Sequence, residues 1–203
     1  MTRRPWARRI SVTTVSVAAL AALAAPAATA APTGAASTSV GVDHATWQRD
    51  CQAVMDQALP YLKDRIAAGP GEKQAIVFDI DNTTLETDFG FSYPQPANRP
   101  VLDVARYAQE HGVSLFFVTA RPGVLYWPTE YNLEHDGYDV SGLRVRGLAD
   151  LFKDVAAYKT AQRVGIENDG YTIIANIGNS ATDLSGGHAE KTFKLPDYDG
   201  QLS

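Results

Sequence analysis

The chain has little of what staples a small domain together or holds a transition metal. Cys51 is the one cysteine among 203 residues, so no internal disulfide can form and a packed core must carry the stability. It falls within a helical pattern, where a small buried residue is expected rather than a reactive thiol. Four histidines, His44, His111, His135 and His188, show no zinc spacing. His111 precedes Gly112 and reads as the complement of a helix end. A Gly-x-x-x-x-Gly-Lys loop is missing, which leaves a nucleotide-cradling ATPase unsupported. Ser180 follows Gly178-Asn179 without the second glycine of a nucleophile elbow. There is no internal repeat. Nor does Val12 to Leu23, Ala-rich and followed by Pro26, supply the roughly 20 strongly apolar residues of a membrane span.

What that N-terminal stretch does resemble is an export signal. Arg3, Arg4, Arg8 and Arg9 form a basic start, an apolar run follows, and Ala28-Thr29-Ala30 ends it in the small-x-small pattern cut after Ala30. The expected organisation is therefore a signal over residues 1–30, a flexible leader over 31–42 and one domain over 43–203. The Arg8-Arg9 pair is also compatible with twin-arginine export. The first 30 residues hold four of the 18 basic residues and none of the 23 acidic ones, so the mature chain would carry a formal charge of −9. Such a surface repels polyphosphates and argues against nucleic acid as the partner. The sequence predicts a secreted protein with no membrane span once the signal is removed.

Within the domain, Asp43 to Ala67 carries apolar residues at helical spacing, with Pro60 expected to kink or divide it and Gly69-Pro70-Gly71 to stop it. Gln74 to Phe78 is a short apolar run ending in charge, as expected of a strand covered on both faces. Helix is predicted over Val101–His111, Thr129–His135 and Asp154–Ile166. Strand is predicted over Val113–Val118, Leu143–Val145, Thr172–Ile177 and, at an edge, Lys191–Leu195. Alternation of this kind gives an α/β fold, an open and mostly parallel sheet with helices on both faces. The irregular insert Thr84 to Arg99 is rich in proline and aromatics.

Ligands of such sheets bind beyond the carboxyl ends of the strands. The first strand delivers Asp79 and Asp81 there, the second Thr119 and Arg121, the third Asn179 and Asp183, and Lys159 lies on the helix between the last two. A calcium loop starting at Asp79 fails, because Thr84 stands where glycine is required and Gly90 where a bidentate glutamate is required. A magnesium site of few carboxylates, completed by water and substrate phosphate, remains. A carboxylate can attack phosphorus and split hydrolysis into two easier steps. Asp79, last on its strand, suits that task, and Asp81 suits general acid and base work. Lys159 and a cation would offset the charge that builds on phosphate. Thr119 can offer its hydroxyl to a phosphate oxygen.

These residues resemble a known family. Val77-Phe78-Asp79-Ile80-Asp81-Asn82-Thr83, Phe117-Val118-Thr119-Ala120-Arg121-Pro122, Thr129-Glu130-Tyr131-Asn132-Leu133, Tyr158-Lys159-Thr160, Asn176-Ile177-Gly178-Asn179 to Asp183-Leu184, and Thr192-Phe193-Lys194-Leu195-Pro196 are similar to motifs of the haloacid dehalogenase (HAD) superfamily of phosphatases. Within it they resemble the secreted acid phosphatases of the class B and vegetative-storage-protein type (subfamily IIIB). The resemblance spans Asp43 to Pro196. It implies a Rossmann-like three-layer core and a Mg2+-dependent phosphatase acting on small phosphate monoesters through an aspartyl phosphate. Asp79 is then the nucleophile, Asp81 the acid/base and Lys159 the charge-neutralising lysine, which also binds substrate together with Thr119 and Arg121. The metal falls to Asp79, the Asp81 backbone carbonyl, Asn179 and Asp183. The insert takes the position of the superfamily cap and is short enough to leave the site open.

Asn179 departs from the usual pair of acids in the fourth motif; its carbonyl is a hard ligand without the charge, which weakens magnesium binding. A similar Gly-Asn-x-x-x-Asp version resembles the lipin-type phosphatases. Two alternatives stay open: a non-catalytic secreted storage or binding protein of the same fold, and a phosphotransferase. So do two roles for Phe89, Phe91, Tyr93, Tyr126 and Trp127, as a leaving-group pocket or as packing.

Overall fold

The computed structural model describes residues 41–202; the predicted signal and nearly all of the leader lie outside the described residues. The elements run in the order α1 (His44–Ala68), β1 (Gln74–Phe78), α2 (Arg99–Glu110), β2 (Ser114–Pro122), a single 3-10 turn, α3 (Tyr126–Asp136), β3 (Val140–Arg146), α4 (Val155–Asn168), β4 (Thr172–Gly178), the four-residue α5 (Ala181–Leu184) and β5 (Thr192–Lys194). The strands form one sheet in the order β3-β2-β1-β4-β5, and every pairing is parallel. The central strands β1, β2 and β4 are nearly continuous apolar runs, as two-sided burial demands.

Alternation of side chains along the strands divides the core into two. Ile76, Phe78, Leu115 and Phe117 pack with α1, α2 and Leu133 of α3 in the larger cluster. Ala75, Val77, Phe116 and Val118 pack with Tyr158 and Ile166 of α4 in the smaller one. Helix α1 buries Trp47, Cys51, Met55, Ala58 and Leu62, a stripe of near-helical period. Asp43 caps its start by accepting from the Thr46 amide at 2.9 Å. Pro60 lies inside this single helix and does not divide it; at that position one backbone donor is missing while the buried stripe continues on both sides. His111 is the C-cap of α2, with Nδ1 2.7 Å from the Tyr107 carbonyl.

Two departures from the sequence expectation bear on the site. Strand β2 runs on to Pro122, with its register against β3 broken between Val118 and Pro122, so Thr119-Ala120-Arg121 sits in an irregularity of the kind that re-aims side chains. Helix α3 starts at Tyr126, three residues before the predicted Thr129. None of the described helices is long and apolar enough to cross a membrane.

Cys51 has no exposed surface, and burial pushes its thiol up to about 12. A thiol reagent should therefore modify the native protein only at the rate of global opening and should react at once in denaturant. Rapid modification of the native protein would show that α1 is not docked as described.

Candidate active site

The parallel sheet brings the C-terminal ends of β1, β2 and β4 to one edge, and a cavity of about 310 Å³ opens there. Asp79, Asp81, Asn82, Thr87, Ala120, Lys159, Asn179 and Asp183 are among the residues that line it. The Lys159 ammonium lies 2.5 Å from Asp79 Oδ1 and 2.6 Å from Asp183 Oδ1. All three side chains are buried. One cation thus joins two carboxylates from opposite ends of the domain sequence. Taking away one member of such a buried group costs about 3–5 kcal/mol, because a charge is left without compensation.

Each member is held by the backbone around it. The Asp79 amide donates to the Ile177 carbonyl at 2.9 Å, tying β1 to β4 at their ends. Asp183 is N3 of α5, where it and Ser180 form a capping box: its Oδ2 accepts from the Ser180 amide at 2.8 Å. Its backbone carbonyl accepts from Asn176 Nδ2 at 2.9 Å and Arg163 Nη1 at 2.8 Å. Arg163 is itself buried and also donates to the carbonyls of Ser185 and Gly187. Gly178 admits Asp183 at close range; a Cβ there would meet Asp183 Cβ at 2.5 Å. Sequence reasoning missed Arg163 and α5. The signals were present in Arg163 standing four residues after Lys159 on one helix face and in the Ser180-x-x-Asp183 capping pattern.

Thr83 and Asn179 link the β1 loop to the β4 end twice. Asn179 N donates to Thr83 Oγ1 at 3.1 Å, and that hydroxyl donates to Asn179 Oδ1 at 3.2 Å. Asn179 Nδ2 donates to the Leu202 carbonyl at 2.6 Å. An aspartate at 179 could not make this last bond, which gives the departure from the usual acid a structural reason.

The residues of β2 take other places. Thr119 is buried, its hydroxyl accepting from the Arg121 amide at 3.1 Å, and it is Ala120 rather than Thr119 that lines the cavity. Arg121 grips Asp81: Nη2 lies 2.7 Å from Oδ1, and Nε lies 3.2 and 3.1 Å from Oδ1 and Oδ2. It lines a second cavity of about 420 Å³ with Asp81, Tyr93, Gln95, Leu125, Pro128 and Thr129. None of the five aromatics lines the first cavity, and Phe89 and Tyr126 pack against the larger core cluster. Phe89 stacks on Trp47 at 4.5 Å and is packing. Phe91, Tyr93 and Trp127 are exposed. Among the described residues, no group of three or more His, Cys, Asp or Glu could hold a metal by itself; the carboxylates of Asp79, Asp81 and Asp183 line the cavity, the first and last paired with Lys159 and the second with Arg121.

With this geometry in view, the comparisons decide the family. Residues 6–95 and 92–201 match the sequence model described as HAD superfamily, subfamily IIIB (Acid phosphatase). The chain belongs to that family. Among its relatives, the Stem 28 kDa glycoprotein of Glycine max is 29% identical over 174 residues, covering 74% of this chain and 67% of that one. The Stem 31 kDa glycoprotein of the same plant is 29% identical, and only 59% of its length is matched. Acid phosphatase 1 of Solanum lycopersicum is 26% identical over 172 residues, covering 74% of this chain and 67% of that one. In fold, the chain is similar to the class C acid phosphatase of Bacillus anthracis, with a TM-score of 0.62 at 17% identity over 77% of this chain and 80% of that one. The same phosphatase with tungstate bound gives 0.60 at 16% identity, over the same shares. Likenesses at that identity carry the Rossmann-like fold alone. Subfamily IIIB membership makes the chain a phosphoric monoester hydrolase in class.

Burial is the largest influence on Asp79 and, with help from Asp183 and Asp81, outweighs the Lys159 cation, pushing the carboxyl from 3.8 up to about 6. Lys159 is pulled down by burial but raised further by the two carboxylates. Between those two pH values the folded state holds more protons at Asp79 than the unfolded chain does, so stability from this group falls as pH rises through about 6. In chelator, Asp79→Asn should gain stability relative to wild type as pH goes from about 4 to about 7. Parallel melting-temperature profiles of the two proteins would contradict this.

Proposed function

We propose that the chain is a secreted, Mg2+-dependent acid phosphatase that hydrolyses small phosphate monoesters through a phosphoryl group carried on Asp79. The observation that supports this best is the buried contact of Lys159 with both Asp79 and Asp183 at the mouth of the parallel sheet.

The donors suit a small hard cation: the carboxylates of Asp79 and Asp183 and the backbone carbonyl of Asp81 are the oxygens that would hold it. Bound there, Mg2+ supplies positive charge against the phosphoryl oxygens. Asp79, fixed at the end of β1, attacks phosphorus as the ester bond breaks. Asp81, two residues on, gives a proton to the leaving oxygen and later takes one from the attacking water. Lys159 favours the ionised form of Asp79 against the effect of burial and meets the charge that develops on the phosphoryl group. The formal charge of −9 on the mature chain and a cavity of about 310 Å³ favour a small ester over nucleic acid, and a signal removed after Ala30 would deliver the protein outside the cell.

One arrangement favours a second reading, a storage or binding protein of the same fold. The Asn179 amide is committed to Thr83 and Leu202, so two carboxylates rather than three remain for a metal.

The mature protein should hydrolyse an aryl phosphate with Mg2+ and stop on chelation. Asp79→Asn should lower turnover at least ~10³-fold without loss of fold. A wild type inert from mildly acidic to neutral pH would favour the second reading, and transfer to an added alcohol would mark a phosphotransferase.

A further inference from the structure

Arg121 stands in the motif position that suggested phosphate binding, yet four of its five N–H donors are engaged elsewhere. Nε and Nη2 hold Asp81, Nη1 donates to Thr129 Oγ1 at 3.1 Å, and Nη2 also donates to Gln95 Oε1 at 2.9 Å. The Gln95 backbone is pinned in turn by Asn132, whose Oδ1 accepts from its amide at 2.7 Å and whose Nδ2 donates to its carbonyl at 2.8 Å. Thr87, at the other end of the insert, donates its hydroxyl to Asp81 Oδ1 at 2.9 Å. Both ends of the 84–99 insert therefore converge on the Asp81–Arg121 pair.

The two oxygens of Asp81 differ as a result. Oδ1 receives three donors, Arg121 Nη2, Arg121 Nε and Thr87 Oγ1, whereas Oδ2 receives only the shared Nε at 3.1 Å. Oδ2 is the oxygen left to carry a proton. From this geometry we infer that Arg121 is a positioning residue for the acid/base Asp81, braced by Gln95 and Thr129, and not a phosphate ligand. The insert serves as the frame of that brace. As Asp79 forms its bond to phosphorus and the ester P–O bond breaks, the electron pair stays on the leaving oxygen, which receives the proton from Asp81 Oδ2. In the second step water attacks phosphorus, Asp81 takes its proton, and the P–O bond to Asp79 breaks.

The inference rests on the catalytic role proposed for Asp81 and predicts a dependence on the leaving group. A poor leaving group, such as a primary alkoxide, needs the proton; a nitrophenolate does not. General acid catalysis contributes on the order of 10²–10⁴-fold, so misplacing Asp81 should remove a visible part of it. Arg121→Gln should lower kcat for an alkyl phosphate about tenfold or more and for a nitrophenyl phosphate by less than about threefold. KM and inhibition by inorganic phosphate should stay close to wild type. Gln95→Ala, which removes one brace only, should shift the ratio of the two rates the same way by less, and it carries the test if Arg121→Gln does not fold. Equal losses on both esters with weaker inhibition by inorganic phosphate would make Arg121 a phosphate ligand and overturn the inference. Failure of the parent reading shows separately, as a wild type inert on both esters, and overturns both.

Discussion

The site depends on one ammonium group held between two carboxylates that do not tolerate each other alone. Asp79 and Asp183 are buried, and two like charges drawn out of water toward one point would hold protons rather than ionise. Lys159 makes their proximity possible. Its reach from α4 fixes where that helix docks on the sheet, and the close approach of α5 to β4 depends on the missing side chain at Gly178. Arg163, Asn176 and the Thr83–Asn179 pair hold the backbone around this contact. Most of the polar side chains buried at this end of the sheet serve it, which is the arrangement expected where a buried charged group is kept for function rather than for stability.

Much of this was legible in the sequence because strands covered on both faces are short apolar runs with a sharp polar end. Gln74–Phe78 matched β1 residue for residue, and the acid at its end is where chemistry on a parallel sheet has to be. Lys159 could be placed on its helix by period. The parts that were not legible depend on contacts far apart in sequence. Nothing local to Arg121 says that its guanidinium faces Asp81, 40 residues away, and Thr119 looked equally able to face the cavity. Pro60 was expected to kink or divide α1; the helix is not divided there, because apolar burial on both sides outweighs one missing backbone bond. The short α5 is too brief for periodicity to show, although its capping pattern was present.

The insert and Asn179 show how a small domain adapts the plan of its family. The 84–99 insert is a strap whose residues Leu85 and Ala97 pair as an isolated bridge and are buried. The strap engages the Asp81–Arg121 pair through Thr87 and Gln95. Asn179 trades a negative charge for a donor that fastens Leu202. In both places residues near the site are drawn into holding its frame, while Asp79, Lys159 and Asp183 keep the buried contact on which the proposed chemistry rests.

The most direct measurement is to quench the protein with acid during turnover of a phosphate monoester, digest it and locate the phosphoryl group by mass spectrometry. The account predicts an acid-stable, base-labile phosphoryl group on the peptide containing Asp79 and on no other. Turnover with no protein-bound phosphoryl group, or with the group on a different residue, would contradict it.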